Sequence, residues 1–173
     1  MGHVQPAHDV KLFAALMFGE DNVYYRVKEI LMSELGSVDY ESEIFDFRFT
    51  DYYENEMGTE LKKTFISFEN LIPPDRLIDI KLRTNEIEAQ FLNDGNRRIN
   101  IDPGYLTDAN IVLATTKNFS HRIYLGKGIY GDIHLIYKNK AFHPLEWTYP
   151  DYQSPAATAF FLRIKTIYHH LIR

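Results

Sequence analysis

Apolar and polar residues follow a strand pattern and then a helix pattern at the start of the chain. Val10 to Phe18 is a dense apolar run, which predicts a buried strand. Asp21 or Asn22 then begins a helix in which apolar residues recur every three or four positions up to Leu35. Gly36 follows, where the end of a helix favours glycine. The pattern therefore predicts one strand followed by one helix.

Two strands and a long helix are predicted next. Residues 43–49, EIFDFRF, alternate strictly and predict a half-buried strand, and residues 61–71 repeat this pattern less cleanly. Pro73 and Pro74 open the longest predicted helix, which runs roughly to Leu92 and has one apolar face. The opposite face carries three polar residues, Lys81, Asn85 and Glu88.

The second half of the chain reads mainly as strands. Residues 97–101 predict a strand, and residues 110–116 predict another, although Thr107 could instead begin a short helix there. An antiparallel meander and a final helix after Pro155 follow. The whole pattern predicts a single α+β domain over residues 1–173, with residues 1–9 as a flexible tail. Its sheet is mostly antiparallel, with a ferredoxin-like β-α-β-β-α-β start, a β-meander and a C-terminal helix.

Residues 120–137 predict a hairpin whose two faces differ in polarity. A three-residue loop, Gly126 to Gly128, gives a bulged turn, whereas a two-residue loop would shift the pairing by one position. The first register places Ile123 and Leu125 on an apolar face. The other face carries Arg122 opposite Asp132, Tyr124 opposite Tyr130, and His134. Two interpretations remain open, a solvated face with a weak ion pair and a ligand surface lined by aromatic residues.

Composition excludes several classes of protein. The chain has no cysteine, so disulfides, zinc–thiolate sites and thiol catalysis are impossible. No apolar run approaches the roughly 18 residues of a membrane span, and residues 10–18 lack the basic flank of a signal peptide. A hydrophobic content of 45% argues against disorder. We therefore expect a cytoplasmic protein without a membrane partner.

Charge is unevenly distributed along the chain, whose formal net charge is −5. Residues 39–60 contain eight acids and one base, whereas residues 117–140 contain five bases and one acid. The two segments could form complementary surfaces or face each other in the fold. Binding of duplex nucleic acid is disfavoured, because the isoelectric point is about 5.8.

Five ordered motifs resemble a known family. They are TDYYENEMG at residues 50–58, IDIKLRTNEIE at 78–88, RRINIDPGYLT at 97–107, LATTKNFSHRIYLGKGIYGDIHL at 113–135 and WTYPDYQSP at 147–155. Together they resemble the bacterial and archaeal family called domain of unknown function 4416. The resemblance implies a compact, cytoplasmic, single-domain protein and no established activity. A P-loop GTPase is excluded, since no G-x-x-x-x-G-K-[ST] motif is present and Asn139-Lys140 lacks the aspartate of a guanine-recognition motif.

These motifs supply candidate site residues. The anion-binding candidates are Lys81, Asn85, Arg97, Arg98, Lys117, His121 and Arg122, with Tyr124 and Tyr130 as ring contacts. The candidate acids, bases or Mg²⁺ ligands are Asp51, Glu86, Asp102, Asp132 and Asp151. Each has an ordinary structural interpretation: Lys81 and Asn85 suit a solvent-facing helix surface, and Asp102 before Pro-Gly suits a turn. By strand alternation, Arg98, Asn100 and Asp102 should share one face.

Two functional hypotheses follow. The first is binding of an anionic small molecule, nucleotide-like or phosphorylated, with or without catalysis. Arg98, Lys117 and Arg122 would hold the anion, and Asp102 or Asp132 would act as acid, base or Mg²⁺ ligand, with Glu86 a further catalytic candidate. The alternative is a non-catalytic interaction module, in which the acidic segment and exposed tyrosines meet a protein partner or a second copy of the chain. RNA binding through an aromatic sheet face has weaker support from the charge.

Overall fold

The computed structural model describes residues 2–172 of the chain. Residues 2–9 form neither helix nor strand and are exposed. The strands are β1 Val10–Phe18, β2 Val38–Glu41, β3 Phe45–Asp46, β4 Lys62–Ile72, β5 Ile99–Leu106, β6 Asn110–Thr115, β7 Ile123–Gly126, β8 Ile129–Lys138 and β9 Ala141–Pro144. The helices are α1 Asp21–Leu35, α2 Glu54–Met57, α3 Arg76–Gln90 and α4 Pro155–Leu171, and a 3-10 turn spans Pro150–Gln153.

The strands form one open antiparallel sheet in the order β2-β4-β1-β5-β6-β8-β7, with β3 beside β4 and β9 beside β8. Strands β1, β2, β4 and β5, connected through α1 and α3, have the ferredoxin-like arrangement that the sequence predicts. The meander β6 to β9 extends the sheet beyond β5. The predicted α+β class, with its mostly antiparallel sheet, is confirmed.

The sheet separates two hydrophobic cores. Helices α1 and α3 cover one face, where Leu16, Val27 and Ile87 are fully buried. Helix α4 covers the other face, where Phe13 packs edge-on against Phe161. Because β1 lies between the two cores, nearly every residue of it is apolar, which explains its unbroken sequence pattern.

Two predicted elements differ from the structure, and the predicted strand over residues 110–116 is confirmed as β6. The strand expected over residues 43–49 is reduced to β3, because the chain leaves the sheet edge after Phe47, and the rings of Phe47, Phe49 and Tyr53 pack on one another. Helix α3 is shorter than predicted, and α4 is longer than α3. Residues 110–115 form a strand, so the alternative helix is wrong; the Thr107 hydroxyl accepts backbone N–H bonds within the β5–β6 turn.

The β7–β8 hairpin has a two-residue loop, contrary to the prediction of three. Lys127 and Gly128 both have positive φ, 52° and 78°, as a tight hairpin turn requires. A bulge between Tyr124 and Gly126 absorbs the expected shift, so the predicted pair Tyr124–Tyr130 is confirmed. The prediction placed the bulge in the loop, whereas the structure has it in strand β7.

Asp102, Pro103 and Gly104 continue strand β5 and do not form the turn suggested by the sequence. Strand β5 pairs with β1 along its whole length, but its last pair with β6 is Gly104–Leu113. Pro103 has no N–H for a ladder hydrogen bond, and pairing between β5 and β6 ends beside it. Residues 99–103 therefore pair with β1 alone, and the sheet opens between β5 and β6.

No helix among residues 2–172 is both long enough and apolar enough to cross a membrane.

Gly104 is expected to be intolerant of any side chain. A Cβ atom there would lie 2.5 Å from the Val112 carbonyl oxygen and 2.7 Å from the ring of Phe13. We expect Gly104→Ala to lower the free energy of unfolding by about 1–3 kcal/mol, measured by urea denaturation. The control is Gly19→Ala, whose Cβ would meet no atom closer than 3.7 Å and should change stability by less than about 0.5 kcal/mol. Equal effects of the two substitutions would contradict the close approach.

Candidate functional site

Two adjoining pockets lie at the opening between β5 and β6, one within it and one beside it against β1, β4 and residues 47–53. The charged pocket has a volume of about 330 Å³ and is lined by α3, β5 and β6, and the aromatic pocket has a volume of about 410 Å³. Six residues line both: Tyr52, Tyr53, Asn100, Asp102, Lys117 and Tyr149. We call the two pockets together the cleft. A larger depression of about 690 Å³ lies against residues 46–62, but its charged side chains are exposed.

Two side chains of α3 bind the part of β5 that has lost its strand partner. Glu88 accepts a hydrogen bond from the backbone N–H of Ile101 at 2.6 Å, and Lys81 donates to its carbonyl at 3.0 Å. Lys81 and Glu88 are thus buried, so the solvent-facing interpretation is wrong for Lys81. They satisfy backbone groups of a strand that no longer pairs with β6.

The carboxylate of Asp102 is held in a fixed position at the base of the charged pocket. One oxygen lies 3.2 Å from Lys81 Nζ, and the other accepts a hydrogen bond from Asn100 at 2.8 Å. Burial alone would raise the pKa of Asp102, but Lys81, Lys63 and these hydrogen bonds together lower it below its usual value. Asp102 is therefore ionised at neutral pH, and about 27% of its side chain stays accessible.

Arg97 connects the rim of the cleft to its interior. It donates to both oxygens of Glu56, each at 2.7 Å, and to Asn100 at 2.8 Å. A second carboxylate, Glu88, lies 3.8 Å away. Burial raises the pKa of Glu88 to about 7, despite the opposing effects of Lys81, the Ile101 N–H and Arg97.

Asp132 is the centre of a second buried cluster. Arg122 donates to it at 2.9 Å, and nitrogens of His121 and His134 each lie 3.3 Å away. His134 accepts the Tyr149 N–H on Nε2, so Nδ1 carries the proton that faces Asp132. Burial alone would raise the pKa of Asp132, but His134 and Arg122 lower it. Only 2% of this carboxylate side chain is accessible, so the solvated-face interpretation is wrong here.

Arg122 also positions two residues that line the cleft. Its other nitrogens donate to the Lys117 carbonyl at 3.0 Å and to the Tyr149 hydroxyl at 3.1 Å. Because the guanidinium group is planar and rigid, these contacts fix the segment after β6 against the segment before α4.

Lys117 differs from the other cations of the cleft. Lys63, Lys81 and Arg97 each have a carboxylate within 4.0 Å. Among the described residues, Lys117 forms no such ion pair; its ammonium donates to the Tyr52 hydroxyl at 3.1 Å and lies 5.0 Å from the centre of that ring. It is exposed at the rim, and its charge acts on Glu56 only at longer range, where, with Arg97, it helps to lower the pKa of that carboxyl.

The predicted site residues divide into three groups. Lys81, Asn85, Arg97, Asp102, Lys117 and Asp132 line the charged pocket, and Asp151 lines the aromatic pocket. His121 and Arg122 bind Asp132 from behind, and His121 stacks on Trp147. The remaining five lie away from the cleft: Arg98 pairs with Glu20, Glu86 with Arg83, Tyr124 packs on Tyr130, and Asp51 lines the larger depression.

The cleft arginine is Arg97, whereas strand alternation had favoured Arg98. Alternation fails because β5 begins at Ile99, so both arginines precede the regular strand. The cleft residues absent from the predicted set include Lys63, Glu88, Tyr53 and Tyr149. Tyr53 and Tyr149 lie in the family motifs TDYYENEMG and WTYPDYQSP, which was the available signal. Lys63 carried none, since it lies within a strand pattern.

Within residues 2–172, no group of three or more His, Asp or Glu side chains has a geometry suited to a metal ion. The candidate Mg²⁺ ligands Asp51, Asp102, Asp132 and Asp151 therefore do not form one metal centre by themselves.

Comparison with known proteins identifies the family but no activity. The family model described as Domain of unknown function (DUF4416) matches residues 8–168, nearly the whole chain. The chain belongs to this family. No curated protein and no solved structure matches it. The family carries no assigned reaction, so the chemistry of the cleft is the basis for any functional proposal.

The raised pKa of Glu88 predicts a specific pH dependence of stability. Between its usual value of 4.5 and about 7, folded Glu88 binds a proton that the unfolded chain has released. Its contribution to the free energy of unfolding therefore falls as pH rises through this window, by up to roughly 3 kcal/mol. Glu88→Gln stays neutral and can still accept the Ile101 N–H, so it should lack this contribution.

The measurement is urea denaturation of the wild type and Glu88→Gln at about pH 5 and about pH 8. The free energy of unfolding of the wild type minus that of the variant should be lower at the higher pH. The difference between the two proteins cancels the titration of other groups, such as Asp102 and Asp132. A difference that stays constant or rises would contradict the raised pKa.

Proposed function

We propose that the cleft binds a small anionic molecule, nucleotide-like or phosphorylated, and that Lys117 contacts its anionic group. The observation that carries this proposal is that Lys117 has no described carboxylate within 4.0 Å, whereas every other described cation that lines the cleft is paired. An anion placed there gains an ion pair without breaking an existing one.

The interior of the cleft supports the same conclusion. Burying a charge is costly even when it is paired, and a well-packed apolar core would be at least as stable. Nevertheless, Lys63, Lys81, Asp132 and Asp151 are all buried around this one cleft. Such a concentration of buried charges is typical of functional sites, where polar groups are held ready for a ligand. Arg122 further supports preorganisation, because it fixes both Lys117 and Tyr149.

Asp102 is the acid, base or Mg²⁺ ligand that this proposal favours. Both oxygens of Asp132 face Arg122 and the two histidines, and its side chain is almost inaccessible. Asp102 is ionised and accessible on the floor of the charged pocket. A Mg²⁺ ion bridging ligand phosphates needs only one or two protein carboxylates, so Asp102 could complete such a site.

We also propose a cytoplasmic location. The support is compositional, since a chain without cysteine does not depend on an oxidising compartment for its stability.

The proposal predicts that Lys117→Gln weakens binding of phosphorylated compounds. The probes are ribose 5-phosphate, adenosine 5′-monophosphate and uridine 5′-monophosphate, each with and without Mg²⁺, in a thermal-shift assay followed by calorimetry. A charge-assisted hydrogen bond contributes about 1.5–3 kcal/mol, so affinity should fall about tenfold to a hundredfold.

The control for this substitution is Lys127→Gln. Lys127 is also an exposed lysine with a nearby partner, Asp79, but it lies on the β7–β8 hairpin, away from the cleft. Lys127→Gln should leave the affinity for the phosphorylated compounds unchanged. A panel without any shift, or equal loss in both variants, would contradict binding of an anion at Lys117.

A non-catalytic interaction module is the alternative, and one observation favours it. Strand β7 is an edge of the sheet, where Ile123 is 67% exposed, and Phe119 in the segment before it is 63% exposed. The acidic segment gives less support than its sequence suggests. Several of its acids pair within the chain, including Asp39 with Lys11 and Glu56 with Arg97.

This alternative predicts self-association through the β7 edge. Light scattering over a range of protein concentrations would show a dimer that Ile123→Lys disrupts, whereas Leu92→Lys, at an exposed position after α3, would leave it intact. A monomer at every concentration would argue against association of copies through β7.

A further inference from the structure

The aromatic pocket has walls suited to a flat ring. Met17, Phe47 and Phe49 line it together with Tyr52, Tyr53 and Tyr149. The Phe47 and Phe49 ring centres lie 5.6 Å apart, and Phe47 and Tyr53 meet edge to face at 6.0 Å. A volume of about 410 Å³ accommodates a single or fused planar ring with an attached sugar-sized group.

A buried ion pair lines the same pocket. Lys63 Nζ donates to Asp151, and both side chains are more than nine-tenths buried. The ammonium also lies 5.4 Å from the centre of the Phe47 ring. A lysine has three N–H donors and a carboxylate has about four acceptor positions. Among the described residues, each of the two makes only this one hydrogen bond. Spare donors and spare acceptors thus lie side by side against the pocket.

We propose that the aromatic pocket binds a planar heterocycle that carries a hydrogen-bond donor and an acceptor on one edge, as a nucleobase does. The ring stacks on the aromatic walls, its acceptor binds Lys63 and its donor binds Asp151. This inference rests on the proposed function and specifies the class of ligand that the cleft accepts.

The two pockets are arranged for one molecule. Lys117 and Tyr52 line both, and their side chains contact each other at 3.1 Å. A ring in the aromatic pocket therefore directs a linked anionic group towards Lys117 and the charged pocket. The ligand class is a planar heterocycle joined through a short polar linker to a phosphate or carboxylate.

The experiment separates the ring from the anion. Calorimetry with uridine, cytidine, adenosine and guanosine, none of which carries a phosphate, measures ring binding alone, and ribose 5-phosphate measures anion binding alone. We expect at least one nucleoside to bind the full-length wild-type chain. Phe49→Ala should weaken that nucleoside about tenfold, since loss of a stacking ring has roughly this effect. Lys117→Gln should leave it nearly unchanged.

Ribose 5-phosphate should show the reverse pattern, with loss in Lys117→Gln and little change in Phe49→Ala. Phe49 is exposed, so its replacement is not expected to unfold the protein. If no nucleoside binds while ribose 5-phosphate does, the ring inference is overturned and the proposed function stands. If nucleosides bind but ribose 5-phosphate does not, and Lys117→Gln changes no measured affinity, the proposed function is contradicted.

A second comparison tests the contact between the ligand's ring edge and the Lys63–Asp151 pair, and it leaves the protein unaltered. The ligand pairs are uridine with 3-methyluridine and guanosine with 1-methylguanosine, because the methyl group removes the ring N–H donor of that edge. We expect the methylated member of the binding pair to lose at least tenfold in affinity. Equal affinity of parent and methylated nucleoside would overturn the assignment of Lys63 and Asp151 to the ring edge.

Discussion

The absence of an amide hydrogen at Pro103 is the constraint on which the cleft depends. Proline inside a sheet cannot complete a ladder, and pairing between β5 and β6 stops next to it. Gly104, immediately after it, lets β6 and the ring of Phe13 approach the strand where pairing is kept. Gly104 therefore keeps β5 and β6 in contact, whereas Pro103, next to it, ends their pairing. The first strand of the meander diverges at that point, and a space for a ligand results.

The buried charges around the opening follow from the same constraint. A strand edge inside a protein must satisfy its N–H and C=O groups, and here Glu88 and Lys81 satisfy those of Ile101. Once Lys81 is buried for this purpose, its ammonium also holds Asp102 as an ionised, accessible carboxylate. Lys81, which is buried because it binds the backbone of β5, thus also positions the carboxylate of Asp102. By contrast, the pair Lys63–Asp151 binds no described backbone group, which makes a ligand the better explanation for it.

The fold was largely predictable, because two-residue and 3.6-residue periods reflect burial directly. The run Val10 to Phe18 and the apolar face of α3 illustrate this. The cleft was less predictable, because its geometry depends on tertiary contacts. Asp102 was a candidate, but Pro-Gly normally indicates a turn, and only packing against β1 keeps β5 extended there. A helical pattern assigns Lys81 to solvent because it carries no information on the unpaired strand beneath it. Arg97 and Arg98 could not be distinguished without the true start of β5.

The cleft is assembled from the two halves of the fold. Asn100 and Asp102 belong to the ferredoxin-like part, whereas Lys117 and Tyr149 come from the meander and the segment before α4. Neither half alone contains the aromatic walls, the Lys63–Asp151 pair and Lys117. During folding, the site can therefore form only after the meander has docked on β5 and Arg122 has joined its two segments. Ligand binding is therefore possible only late in folding, and a chain that has folded only its first half cannot bind the ligand.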